Sequence, residues 1–158
     1  MPHAITGELS TFGLHEHRRD RAVHVALWVC QLLLSIGFLL AGAAKLSFTV
    51  SELATLVPWA TDVPEPVIRL AGAVEMAGAL GLVVPPLIGI RPGLAALAAL
   101  GLALEMGIAI GLHLYRGELS AAILPAAIAV IAGAIAIGRW WISPIAPRRP
   151  PPLPEAPP

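Results

Sequence analysis

An all-α fold, a four-helix transmembrane bundle, is what this sequence predicts, and three observations predict it. Of its 158 residues 57% are hydrophobic and 13% charged, against roughly a quarter charged in soluble domains, and the mean hydropathy is +0.81. Four uncharged or nearly uncharged runs each have the ~20 residues that a helix needs to cross a hydrocarbon core about 30 Å thick. Prolines and charged residues fall at the ends of those runs, where helices start and stop.

The first run, 24–46, follows a basic segment, 1–23, that carries Arg18, Arg19 and Arg21. Its residues to about Thr11 are expected to be loosely ordered. A basic segment, an apolar run from Val25 and the small residues Ala41, Gly42 and Ala43 also describe a secretory signal, but the run exceeds the ~7 to 15 residues of a signal core, so it is read as a retained helix. Between the first two runs, Val50, Leu53, Leu56 and Val57 recur at helical spacing, which predicts a short amphipathic helix lying over one end of the bundle as a lid. The second run, 66–84, starts at Pro66 and is expected to stop at Pro85-Pro86. The third, 92–114, starts at Pro92, and the fourth, 120–141, is followed by Pro144. Residues 143–158 are Pro-rich and predict an extended, polyproline-like tail in which Arg148, Pro151 and Pro154 have the spacing of an SH3 ligand, with a solvated tail the expected state.

Orientation follows from the arginines. Arg18, Arg19, Arg21, Arg91, Arg139, Arg148 and Arg149 all fall on one side, which places that side and both termini in the cytoplasm. The other side receives Glu52, Asp62, Glu65 and Glu118 against Lys45, Arg69 and Arg116. Trp140 and Trp141 fall at the inner interface, Trp59 and Tyr115 at the outer one. Ten acidic and ten basic residues balance, so no overall charge suggests a nucleic-acid partner. The single cysteine, Cys30, cannot form an intramolecular disulfide or a Cys-rich metal site, and no metal site is expected.

The polar residues inside the spans carry the functional argument. Ala73-Val74-Glu75-Met76 in the second run returns as Ala103-Leu104-Glu105-Met106 in the third. An acidic side chain at the middle of a membrane helix costs about 2.5 to 3.5 kcal/mol on insertion scales, so it faces a partner, a cavity or a ligand. At ~1.5 Å rise per residue, Glu75 lies roughly 9 Å below Arg69 and Glu105 roughly 12 Å below His113. The two helices are joined by a short connection and run antiparallel, which brings the carboxylates together at the midplane. Two readings stay open for them: a structural pair sharing a proton, or a site for a proton, cation or ligand. His113 is a candidate relay or quinone hydrogen-bond donor, or an interfacial histidine. Lys45 and Arg69 are expected to snorkel to the outer mouth, Arg69 pairing with Glu65 at i,i+4, and an anionic headgroup or substrate is the ligand such cations would attract. Small residues around the glutamates, with Gly107-xxx-Gly111 and the stripe Gly37, Ala41, Lys45, predict close helix contacts.

Gly42-Ala43-Ala44-Lys45-Leu46, Arg69-Leu70-Ala71-Gly72-Ala73-Val74-Glu75-Met76-Ala77-Gly78, Gly81-Leu82-Val83-Val84-Pro85 and Ala109-Ile110-Gly111-Leu112-His113 together resemble the DoxX or DoxX-like family of small four-helix membrane proteins, from about Leu33 to the end of the fourth helix. Glu105 departs from the family pattern, in which an apolar residue usually precedes the methionine. The resemblance implies a multi-pass protein of a prokaryotic inner membrane, a membrane anchor or quinone-proximal accessory subunit of a sulfur or oxidative-stress oxidoreductase. No GxGxxG, Cys cluster or haem-ligating His pair gives the chain a covalent or redox cofactor of its own, so quinone is the cofactor expected and independent catalysis is not. The alternatives are a small permease or lipophilic-ligand binder, which four short helices would support as a homo-oligomer, and a purely structural membrane protein.

Overall fold

The computed structural model describes residues 5–89, 91 and 93–145, with side chains described from Arg21 onward. Helix α1 (Ile5–Ser47) leads into the short α2 (Val50–Leu56) and a single 3-10 turn, Pro58–Thr61. There follow α3 (Glu65–Ile88), α4 (Leu94–Tyr115) and α5 (Ile123–Ile137), which ends in a π-helical turn, Gly138–Ile142. Among the described residues there is no strand, and four helices are long and apolar enough to cross a membrane: Arg21–Ser47 of α1, α3, α4, and Ile123–Ile142. Large apolar side chains such as Leu33, Leu104, Ile108 and Val130 are exposed on the bundle surface, as suits a protein whose solvent is lipid.

Two expectations about helix ends need correction. Helix α1 includes residues 5–11, part of the segment expected to be loosely ordered. Helix α3 runs through Pro85 and Pro86 to Ile88, where Gly89 closes it at φ 72°. A proline within a helix leaves the carbonyl four residues earlier without its donor, and for Pro86 that carbonyl belongs to Leu82. The Gln31 side chain of α1 fills the vacancy, its Nε2 donating to the Leu82 oxygen at 2.7 Å. One turn on, Ser35 Oγ donates to the Ala79 oxygen at 2.8 Å. Gln31 Oε1 in turn accepts from Arg139 Nε at 2.6 Å. Arg139 is buried rather than interfacial, its guanidinium 5.3 Å from the Trp28 ring. Pro92, the Pro-rich tail from residue 146, and the SH3-like spacing lie outside the described residues.

α3 packs against α1 on one side and α4 on the other, and α5 packs mainly on α4. The core is formed by Phe38, Ala79, Leu82, Ala99, Leu102 and Ile135. A smaller cluster of Leu53, Ala60 and Ile68 seats the lid on the bundle. The predicted lid is therefore present, and α2 starts on a capping box: Thr49 Oγ1 accepts from the Glu52 amide while Glu52 Oε2 accepts from the Thr49 amide. The Thr49 amide, and after it the Thr49 hydroxyl donating to the same Oε2, hold the Glu52 carboxyl below the usual carboxylate range.

The close contacts use Gly72 and Gly78, two of the small residues expected around Glu75, together with Gly42, and not the other predicted glycines. A methyl on Gly42 would sit 2.7 Å from the Gly72 carbonyl oxygen, and one on Gly72 would sit 2.8 Å from Lys45 Cβ. Gly78 meets Leu102 as closely, but a Cβ at Gly37, Gly107 or Gly111 would meet nothing within 4 Å. Small residues at those three positions therefore make no close helix contact, and the α1–α3 crossing is set by Gly42 against Gly72.

Candidate functional site

The Gly42–Gly72 crossing determines where Lys45 goes. Three residues beyond each glycine, on the same helix face, lie Lys45 and Glu75. With the backbones this close, the lysine stem passes over Gly72 and its Nζ forms an ion pair with Glu75 Oε1. Lys45 thus turns inward instead of snorkelling out, because a buried carboxylate without a counterion costs several kcal/mol. Glu75 is 2% exposed and Lys45 13%. The lysine Nζ also lies 5.9 Å from the ring centroid of Trp59, so this indole, expected at the membrane interface, covers the ion pair from the lid.

Arg69 is placed differently from Lys45. Its Nη1 donates to the carbonyl oxygens of Lys45 at 2.5 Å and Phe48 at 2.9 Å, and its Nη2 to Glu65 Oε1 at 2.7 Å. It joins the predicted i,i+4 pair with Glu65 and caps the last carbonyls of α1, where a cation is favoured by the helix dipole. Its guanidinium does not line the cavity described next.

Beneath Trp59 a cavity of about 240 Å³ runs between α3 and α4, with Lys45, Glu75, Glu105 and His113 on its wall and Ala71, Met106 and Ala109 among its apolar lining. The structure therefore brings together four of the five sequence-predicted residues. Glu105 is half-buried. The second oxygens, Oε2 of Glu75 and Oε2 of Glu105, are both buried without a hydrogen-bond partner. A second cavity of about 300 Å³ lies across Glu75 and Met106, between α1 and α5, and reaches the exposed Leu33 and Gly37 on the lipid-facing surface. Glu75 and Met106 thus form the partition between the two.

A polar clamp closes the lid end. Arg116 pairs with Asp62, just after the 3-10 turn, and with Glu118 Oε1 at 2.8 Å, while His113 Nδ1 lies 2.9 Å from Glu118 Oε2. The hydrogen bond from Arg116, then that from His113, holds the Glu118 carboxyl below the usual carboxylate range. The same bond to Glu118 raises the Arg116 guanidinium. Among the described residues no three His, Cys, Asp or Glu side chains converge on a metal position.

Sequence reasoning passed over Gln31 and Ser35. Their i,i+4 spacing in an apolar run, opposite a helix that contains prolines, was the available signal.

A family model described as the DoxX-like family matches residues 29–135, from the middle of α1 almost to the end of α5. No curated protein and no solved structure matches the chain.

Proposed function

The chain belongs to the DoxX-like family and is a multi-pass membrane protein, and on that premise we propose that it binds a lipophilic small molecule, the polar head lodging in the cavity under Trp59. The observation that supports this most directly is the pair of buried, unpartnered carboxyl oxygens that belong to Glu75 and Glu105, two residues that line a largely apolar cavity. Buried acceptors left unpaired cost about 1 to 3 kcal/mol each, more when charged. A ligand head that donates hydrogen bonds recovers that energy, and the apolar walls accept the rest of the molecule. The second cavity, continuous with the lipid-facing surface at Leu33 and Gly37, offers the hydrocarbon portion a route from the bilayer.

A hydroquinone has such a head, with two O–H donors; an oxidised quinone offers acceptors, and Lys45, the cavity's lysine, is already paired with Glu75. A quinol in this cavity is the form in which the chain would serve as a quinone-proximal accessory subunit beside an oxidoreductase. The test compares saturable retention of decyl-substituted hydroquinone by wild-type protein and the cavity-filling Ala71→Phe variant, both in nanodiscs, after subtracting empty discs. Retention by the wild type that is lost in the variant is the expected result. Equal retention by both, or none by either, overturns the reading.

A further inference from the structure

The charges that face the cavity carry the identity of the ligand a step further, resting on the reading above. From α1 comes Lys45, from α3 Glu75, and from α4 Glu105 and His113; α5, residues 123–137, carries no ionisable side chain. Lys45 is spent on Glu75. The other cations near the lid end are engaged outside the cavity, Arg69 with Glu65 and the end of α1, Arg116 with Asp62 and Glu118. The His113 ring is turned to Glu118 through Nδ1. Among the described residues Glu105 has no ion-pair partner, and it lines the same cavity as the almost wholly buried Glu75, whose Oε2 has no hydrogen-bond partner.

We propose that the cavity selects a lipophilic organic cation, an alkylammonium head held between Glu75 Oε2 and Glu105 Oε2 beneath the indole of Trp59. An ammonium N–H donor answers each free acceptor and supplies the charge that Glu105 lacks. The Trp59 face, already within cation–π range of Lys45 Nζ at 5.9 Å, is the surface that aromatic cation sites use. An inorganic cation does not suit the donor set. Magnesium and calcium take six to eight oxygen ligands, and the lining here has two carboxyl side chains, one of them paired with Lys45, beside His113 and apolar groups such as Ala71, Met106 and Ala109. The cations expected to attract an anion are both engaged within the protein, Lys45 with Glu75 and Arg69 with Glu65 and the end of α1, and the cavity-lining group left without an ion-pair partner among the described residues is an acid, Glu105.

The experiment uses three probes with one decyl chain, decylammonium, decyl-substituted hydroquinone and decanoate, in equilibrium dialysis against the full-length protein in nanodiscs of zwitterionic lipid, with empty discs subtracted. Decylammonium is expected to bind saturably and at least about tenfold more tightly than the hydroquinone, with decanoate unbound. Glu105→Gln is expected to erase that preference, and Glu105→Asp to retain it, since loss of one partner of a desolvated charge pair weakens binding by tenfold or more. Hydroquinone binding as tightly as decylammonium, or a preference that survives Glu105→Gln, overturns the cation proposal and leaves the cavity a neutral-ligand site. Failure of every probe to bind wild-type protein overturns the cavity reading itself. The three-probe comparison needs no variant, so it decides the matter even if Glu105→Gln does not fold.

Discussion

Replacing Lys45 with methionine should destabilise the bundle far more than replacing its partner Glu75 with glutamine. Lys45→Met keeps the length and apolar stem of the side chain but strands a carboxylate that is 2% exposed. Arg69 cannot stand in, because its guanidinium is committed to Glu65 and to the Lys45 and Phe48 carbonyls. Removing one partner from a buried ion pair costs about 3 to 5 kcal/mol, a shift of the folding equilibrium by roughly two to four orders of magnitude. Glu75→Gln leaves the opposite residue unpaired, but Lys45 sits two residues from the end of α1 and its flexible stem lets the ammonium return to the interface. Its cost should therefore be about 1 to 2 kcal/mol, that of altered hydrogen bonding. The double variant should cost far less than the sum of the two singles, close to Glu75→Gln alone. Reversible unfolding in mixed micelles, read by far-ultraviolet circular dichroism, measures all three. Equal destabilisation by the two single variants, or strict additivity in the double, would refute the argument that a trapped carboxylate drives Lys45 inward.

Three further outcomes follow from the geometry and use the same unfolding assay or its pH dependence. Gly42→Ala drives a methyl against the Gly72 carbonyl oxygen at 2.7 Å and should cost about 1 to 3 kcal/mol by overpacking, whereas Gly107→Ala, which meets open space, should be neutral or stabilising by up to ~1 kcal/mol through helix propensity; equal losses would place the helix contact elsewhere. Gln31→Leu should cost about 1 to 3 kcal/mol by leaving the Leu82 carbonyl and Arg139 Nε unpaired, and adding Pro86→Ala should recover part of it, since the new amide at 86 is placed to donate to Leu82; no recovery would show that Gln31 does not substitute for the proline's missing donor. Glu118 has a folded-state carboxyl pKa below the usual value, so its contribution is present above about pH 4.5 and is lost as pH falls through the depressed value; acidification should loosen the lid-end clamp in the wild type, measured by amide hydrogen exchange in residues 116–122, and Arg116→Gln should flatten that pH dependence.

Much of the site was legible because the membrane makes polar residues conspicuous. Glu75, Glu105 and His113 stand out in apolar runs, and the structure does place them around one cavity with Lys45. The lid was legible from the spacing of Val50, Leu53 and Leu56, two of which are half-buried or buried. The helix ends at Pro85 and Pro86 were misread because a proline is a local signal whose effect depends on whether another helix supplies the missing donor, and Gln31 lies 51 positions from its acceptor. The small-residue patterns were ambiguous for a similar reason: Gly37, Gly107 and Gly111 look like Gly42 and Gly72 in sequence, and only the neighbour across the contact tells them apart.

Hydropathy and run length by themselves determined four spanning helices, because a bilayer imposes its thickness and its intolerance of unpaired backbone on each segment independently. They also determined that two carboxyls lie at depth. Which group answers which carboxyl was decided only by the tertiary structure. Ion pairing depends on how far two helices approach and in what register, and here a single glycine-to-glycine crossing sends Lys45 to Glu75, leaves Arg69 to cap α1, and leaves Glu105 as the cavity-lining carboxyl without an ion-pair partner among the described residues.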